Sequence, residues 1–141
     1  MKAEKPVIVD TNILFSSLLH HETSFFELLL GGDYAFYICE MNIVELSKRN
    51  DKIIELSELS DEITKFFYQL LKRINIFKED LINESNWNKA IQLCKAIDES
   101  DTPFVALTLE LEGLLLSGDR KLKVGLMKKG FDLFFEYSNK G

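Results

Sequence analysis

DESDTPFVALTLELEGLLLSGDRKL, residues 98–122, decides the fold. Asp101, Thr102 and Pro103 place an acid and a proline together, the signature of a first helical turn. Residues 104–111 are apolar on most sides, so this helix is expected to be buried. Gly113 ends it, and Leu114, Leu115 and Leu116 read as a short strand. Ser117, Gly118 and Asp119 follow, and then a short basic helix reaching Lys129. A buried helix feeding a strand, which feeds another helix, belongs to a sheet covered by helices.

The rest of the chain repeats this alternation. Val7, Ile8 and Val9 are β-branched and continuous rather than alternating, which suits a strand covered on both faces. Asp10, Thr11 and Asn12 come next, and then a helix through Leu14, Leu18 and Leu19, with His20 and His21 near its bend. A further helix is expected over 25–30, stopped by Gly31 and Gly32. Residues 34–38 read as a second strand, followed by a helix from Met41 through Glu45 and Leu46. Ile63, Phe66, Phe67, Leu70, Leu71 and Ile74 give the clearest amphipathic helix. Residues 74–77 suit a third strand. Trp87, Ala90, Ile91, Cys94 and Ile97 mark another helix, and residues 131–135 a closing strand. Strands alternating with helices predict right-handed crossovers and a mainly parallel sheet of four to five strands with helices on both faces. With 141 residues, one domain spanning 1–141 is expected.

Charge and cysteine usage narrow the function. The net charge is −6, so a broad phosphate-neutralising surface is not expected. The basic residues are nevertheless uneven: Arg120, Lys121, Lys123, Lys128 and Lys129 fall together with no acid among them. By charge alone that run is a solvated helix face. Cys39 and Cys94 lack C-x-x-C spacing, which argues against zinc and thioredoxin chemistry and for buried free thiols. The N-terminal apolar run is only three residues, Val7–Val9, before Asp10 interrupts it, and no apolar run approaches a membrane span, so a cytoplasmic location with no membrane contact is expected.

The topology predicts where the acids meet. Ligands of such sheets bind beyond the carboxyl ends of the strands. Asp10 and Asp119 lie just past the first and fourth strands. Glu45 is early in the helix after the second strand, and Asp101 starts the helix that runs back antiparallel to the fourth. Four carboxylates thus converge on one rim. Like charges repel at short range, and a divalent cation removes the objection. Oxygen ligands without His or Cys select Mg²⁺ or Mn²⁺. Such a site can activate water against a phosphodiester. Each acid also has a plainer reading: Asp10 as a helix cap, Asp101 as a dipole complement, Glu45 as a solvated residue, Asp119 as a turn residue. Asp98 either supports the site or caps a helix. Thr11, Asn12 and Ser117 either orient carboxylates and waters or satisfy turn backbone.

VIVDTNILFSSLL at 7–19, IVELSKR at 43–49, the 98–122 stretch and the closing FDLFF together resemble the PIN-domain nucleases, in order and over nearly the whole chain. The resemblance implies a three-layer α/β/α sandwich with its sheet centred on the first strand. It implies Mg²⁺- or Mn²⁺-dependent cleavage of RNA, with Asp10, Glu45, Asp101 and Asp119 as the catalytic acids. Asp10, Asp101 and Asp119 would hold the metal, and Thr11, Asn12, Ser117 and Asp98 would support them. Many small relatives look like toxins of the VapC type, which form homodimers and are paired with an antitoxin. In that context Arg120, Lys121 and Lys123 become candidate RNA contacts beside an acidic pocket that otherwise repels RNA. The competing reading is a catalytically inactive PIN-like module that binds RNA or protein. A phosphatase of the haloacid dehalogenase type would need D-x-D-x-T where the chain has Asp10-Thr11-Asn12-Ile13-Leu14.

Overall fold

In the computed structural model the described residues are 5–20, 23–56 and 60–136. Strand β1 (Pro6–Val9) leads into helices α1 (Thr11–His20) and α2 (Thr23–Leu30). Strand β2 (Ala35–Cys39) is followed by α3 (Glu40–Leu56) and α4 (Ser60–Arg73), then β3 (Asn75–Phe77) and α5 (Glu84–Cys94). Helix α6 (Thr102–Leu111), β4 (Leu114–Leu116) and α7 (Arg120–Lys128) complete the order. His21 lies outside the described residues, as do the side chains of Leu18, Leu19, His20 and Ile63.

All strand pairings are parallel, in the order β3-β2-β1-β4, so β1 is central. Side chains alternate across it. Val7 and Val9 join Phe36, Ile38, Leu46, Leu70 and Leu116 on one face. Ile8 joins Cys39, Val105, Leu107, Leu115 and Leu126 on the other. Both faces of the sheet are therefore dry, which is why the strands carry unbroken apolar runs instead of alternation. Each fully buried Val or Ile contributes about 1.5–3 kcal/mol relative to its exposed state. The result is a three-layer α/β/α sandwich. Among the described residues, no helix is long and apolar enough to cross a membrane.

Two sequence expectations are corrected. Residues 131–135 do not form a strand: the segment makes a single parallel bridge, Leu115 with Phe134. Leu114 and Leu116 flank the one residue of β4 whose backbone points outward. Leu115 donates its N–H to Leu133 (2.8 Å) and accepts from Phe135 (2.9 Å), and a three-residue strand has no second such residue to extend the ladder. Helix α5 stops at Cys94, so Ile97 lies beyond it. The chain turns there through Ala96, whose φ is 70°. The Nζ of Lys129 donates to the carbonyls of Gln92, Leu93 and Lys95 at 3.2, 3.0 and 2.6 Å, satisfying the open end of the helix.

Gly113 has a different task from the one its position suggests. The left-handed residue after α6 is Glu112 (φ 52°), not the glycine. A Cβ at Gly113 would overlap the carbonyl oxygen of Pro6 and lie 2.9 Å from Ile8 Cδ1. The missing side chain lets the chain entering β4 lie directly against β1, and that pairing sets the register of the site.

Candidate active site

The register Val9 with Leu116 delivers the next residues, Asp10 and Ser117, side by side at the carboxyl edge of the sheet. Asp10 N–H donates to the Leu116 carbonyl (3.1 Å), and Ser117 Oγ–H donates to Asp10 Oδ2 (2.9 Å). Asp10 Oδ1 accepts the Asn12 backbone N–H at 2.8 Å, and the Asp10 carbonyl accepts from Ile13 and Leu14 as α1 begins. Asp10 is thus a helix-start residue and a fully buried carboxylate at once. Burial is the largest influence on it and raises its pKa, with Asp119 adding to the rise; the Asn12 and Ser117 hydrogen bonds and the Arg49 charge oppose it.

Asp101 comes to the same place from α6. A short 3-10 turn, Glu99–Asp101, precedes the helix, and Asp98 caps that turn through Ser100 N–H (3.0 Å) and Oγ–H (2.6 Å). Asp101 itself makes no capping hydrogen bond, although it precedes Pro103 in the first turn. It is buried, and burial, reinforced by Asp10, Asp98 and Asp119, pushes its pKa up to about 7. Asp98 is exposed, and the Ser100 hydrogen bonds hold its carboxyl below the ordinary value.

Asp10, Glu45 and Asp101 line one cleft of about 100 Å³, together with Thr11, Asn12, Asn42, Arg49, Ser100 and Phe104. Asp119 does not line it; it stands beside it, close enough to act electrostatically on both Asp10 and Asp101. Its Oδ1 accepts Leu122 N–H (3.1 Å) as the N-cap of α7, and its own N–H donates to Ser117 Oγ (3.1 Å). Glu45 turns toward Arg49, with Oε1 2.9 Å from Nη2. Among the described residues, no three His, Cys, Asp or Glu side chains stand ready-grouped around a metal position.

Sequence reasoning missed Asn42, Arg49, Ser100 and Phe104. Asn42 and Arg49 stand three residues before and four after Glu45, hence on the same helix face, and that spacing was the available signal. Two buried polar atoms have no partner among the described residues, Asn42 Oδ1 and Thr11 Oγ1, and both residues line this cleft.

The basic run divides by task. Arg120, Lys121 and Lys128 line a second groove of about 520 Å³ together with Ile97 and Val124. Lys123 points elsewhere: its Nζ pairs with Glu136 at 3.2 Å and lies 5.8 Å from the Phe134 ring centroid. Lys129 is occupied at the end of α5. Cys39 and Cys94 are buried free thiols, pushed by burial up to about 12 and about 11, and so are poor nucleophiles.

Substitutions at Asp119 separate its capping role from its charge. Asp119→Ala is expected to cost about 1 kcal/mol through the lost cap. Asp119→Asn keeps a capping oxygen and removes one negative charge from beside Asp10 and Asp101, so thermal unfolding in EDTA should show equal or higher stability. A marked loss with Asn would make Asp119 a turn residue only.

The PIN domain family model matches residues 8–133. The fold is similar to a chain of the crystal structure of VapBC2 from Rickettsia felis bound to a DNA fragment from their promoter. That match has a TM-score of 0.66 at 14% identity, covering 93% of this chain and 97% of the other. PAE2754 from Pyrobaculum aerophilum is similar with a TM-score of 0.59 at 12% identity, covering 86% and 79%. A search of curated protein sequences returns no match. With the family pattern running from within β1 to beyond α7, and the carboxyl-edge cleft opening off the strand that centres the sheet, this chain belongs to the PIN-domain family.

Proposed function

We propose that the protein is a divalent-metal-dependent ribonuclease, with the whole chain as one catalytic domain. Its catalytic acids are Asp10, Glu45, Asp101 and Asp119. The observation that carries this reading is Asp101. A buried carboxylate that caps nothing is set against Asp10 in one cleft, with Asp119 adjacent. Burying like charges together is costly unless a cation belongs with them.

The donor chemistry fits such an ion. Every candidate ligand is oxygen, and the orphaned Asn42 Oδ1 and Thr11 Oγ1 suit the waters that a hard cation keeps. Asp10, Asp101 and Asp119 would hold Mg²⁺ or Mn²⁺, which supplies Lewis-acid activation of water and stabilises the leaving oxygen. Ser117 and Asn12 fix the Asp10 carboxylate, one on each oxygen, so it needs no reorganisation. Glu45 holds Arg49 through Oε1, which leaves Oε2 to orient or deprotonate a water. Asp98 acts from outside the cleft, holding the turn that presents Asp101. Arg120 and Lys121, which follow Asp119 directly in the chain, would receive the RNA backbone, with Lys128 of the same groove in place of Lys123.

The likeness to a VapBC2 chain supports a place as the toxin of a VapBC-type pair, restrained by an antitoxin. In that role the protein would act in the cytoplasm as a homodimer. Digestion of defined single-stranded RNAs tests the reading. Cleavage should need Mg²⁺ or Mn²⁺ and stop with EDTA. Intact RNA under saturating Mn²⁺, or cleavage indifferent to EDTA, rejects it.

A further inference from the structure

The cleft holds a cation of its own. Arg49 extends from α3 one turn beyond Glu45, and among the described residues it alone brings positive charge to the lining shared by Asp10, Glu45 and Asp101. Three contacts fix it. Nη2 pairs with Glu45 Oε1 at 2.9 Å, Nη1 donates to Asn12 Oδ1 at 3.2 Å, and the guanidinium carbon lies 5.3 Å from the Phe15 ring centroid. These contacts come from two helices and engage both terminal nitrogens and the ring of Phe15, so they restrict the orientation of the guanidinium as well as its position.

We propose that Arg49, seated on Phe15 and braced by Asn12 and Glu45, is a built phosphate subsite that receives a non-bridging oxygen of the RNA strand at the cleft. The proposal rests on the ribonuclease reading above.

A stabilising role does not account for this arrangement. A half-exposed ion pair at i,i+4 adds little to folding. A guanidinium has five N–H donors, and the two contacts to Glu45 and Asn12 leave others pointing away from them. An anionic strand entering a cleft of carboxylates meets repulsion everywhere except here. A planar fork already fixed in place binds phosphate with little further loss of side-chain freedom.

The test measures binding without metal. A short fluorescein-labelled single-stranded RNA is titrated in EDTA against Asp10→Asn protein, chosen to suppress cleavage, with and without Arg49→Ala or Arg49→Lys. Arg49→Ala should weaken binding about 10-fold or more. It should also reduce the slope of log affinity against log salt by about 0.7, the contribution of one phosphate contact to a single strand. Arg49→Lys should recover part of the affinity, because it keeps the charge and loses the fork. In the otherwise native chain, Arg49→Ala should raise KM more than it lowers kcat. Melting temperatures close to the parent's show that the variants are folded.

RNA binding within twofold of the parent overturns the proposal. So does a loss confined to the Mn²⁺-induced melting shift, which would make Arg49 a holder of Glu45 only. If the native chain cleaves RNA and Asp10→Asn does not, either result removes Arg49's role and leaves the nuclease standing. If the native chain neither binds nor cleaves RNA, both fall together.

Discussion

Asp10→Asn is expected to abolish RNA cleavage, by more than about 100-fold, without loss of fold. Asparagine has the same shape. Its amide oxygen can still accept the Asn12 N–H, and its amide group can donate to Ser117 Oγ, whose hydroxyl rotates to suit. The start of α1 and the junction with β4 therefore survive. What disappears is one negative charge buried beside Asp101. The metal-free protein should melt at the same temperature or higher, and Asp101 should titrate closer to an ordinary carboxylate. Initial rates on a defined RNA, paired with thermal unfolding, check both halves. Full activity in contaminant-free Asp10→Asn protein would remove Asp10 from the chemistry.

Saturating Mn²⁺ is expected to raise the melting temperature strongly at pH 8 and weakly at pH 5. A ligand bound only by the native state at 1,000 times its Kd stabilises by about 4 kcal/mol, a shift of roughly 10 °C or more for a chain of this size. The pH dependence follows from Asp101. Its folded pKa, about 7, lies above its ordinary value of 3.8, so between these values the folded protein binds a proton that the unfolded chain does not. Metal-free stability should therefore rise as pH falls from above 7 toward 3.8, and be lost again as pH climbs through 7. Asp10 is shifted in the same direction. Asp98 and Glu110, whose hydrogen bonds hold them below ordinary values of 3.8 and 4.5, act only at lower pH. A cation at the cleft has to displace the Asp101 proton, so its effect runs the opposite way. Melting curves with EDTA and with Mn²⁺ across pH 5–8 read both slopes. No Mn²⁺ shift at any pH, or the same shift at all, contradicts a metal held by Asp101.

Much of this was legible locally. Val7-Ile8-Val9 and Leu114-Leu115-Leu116 show two-sided burial in their composition, and Asp-Thr-Pro followed by an apolar run shows a buried helix start. Those signals place Asp10, Glu45 and Asp101 at one edge, and the three do line one cleft. Other features were out of reach. The isolated bridge of Phe134 depends on how many outward-facing groups the neighbouring β4 presents. Whether a lysine in the basic run is free depends on distant groups: Lys123 meets Glu136, and Lys129 meets the end of α5.

The chain's own pattern of apolar runs, turns and acids determined which segments become strands and helices and at which ends the acids lie, because those properties depend on near neighbours along the backbone. Only the packed structure decided the rest: the order β3-β2-β1-β4, the setting of Arg49 against Phe15, Asn12 and Glu45, the orphaned oxygen of Asn42, and the displaced titration of Asp101. Burial, pairing and proton affinity are set by what approaches from far along the chain, and local sequence does not carry that information.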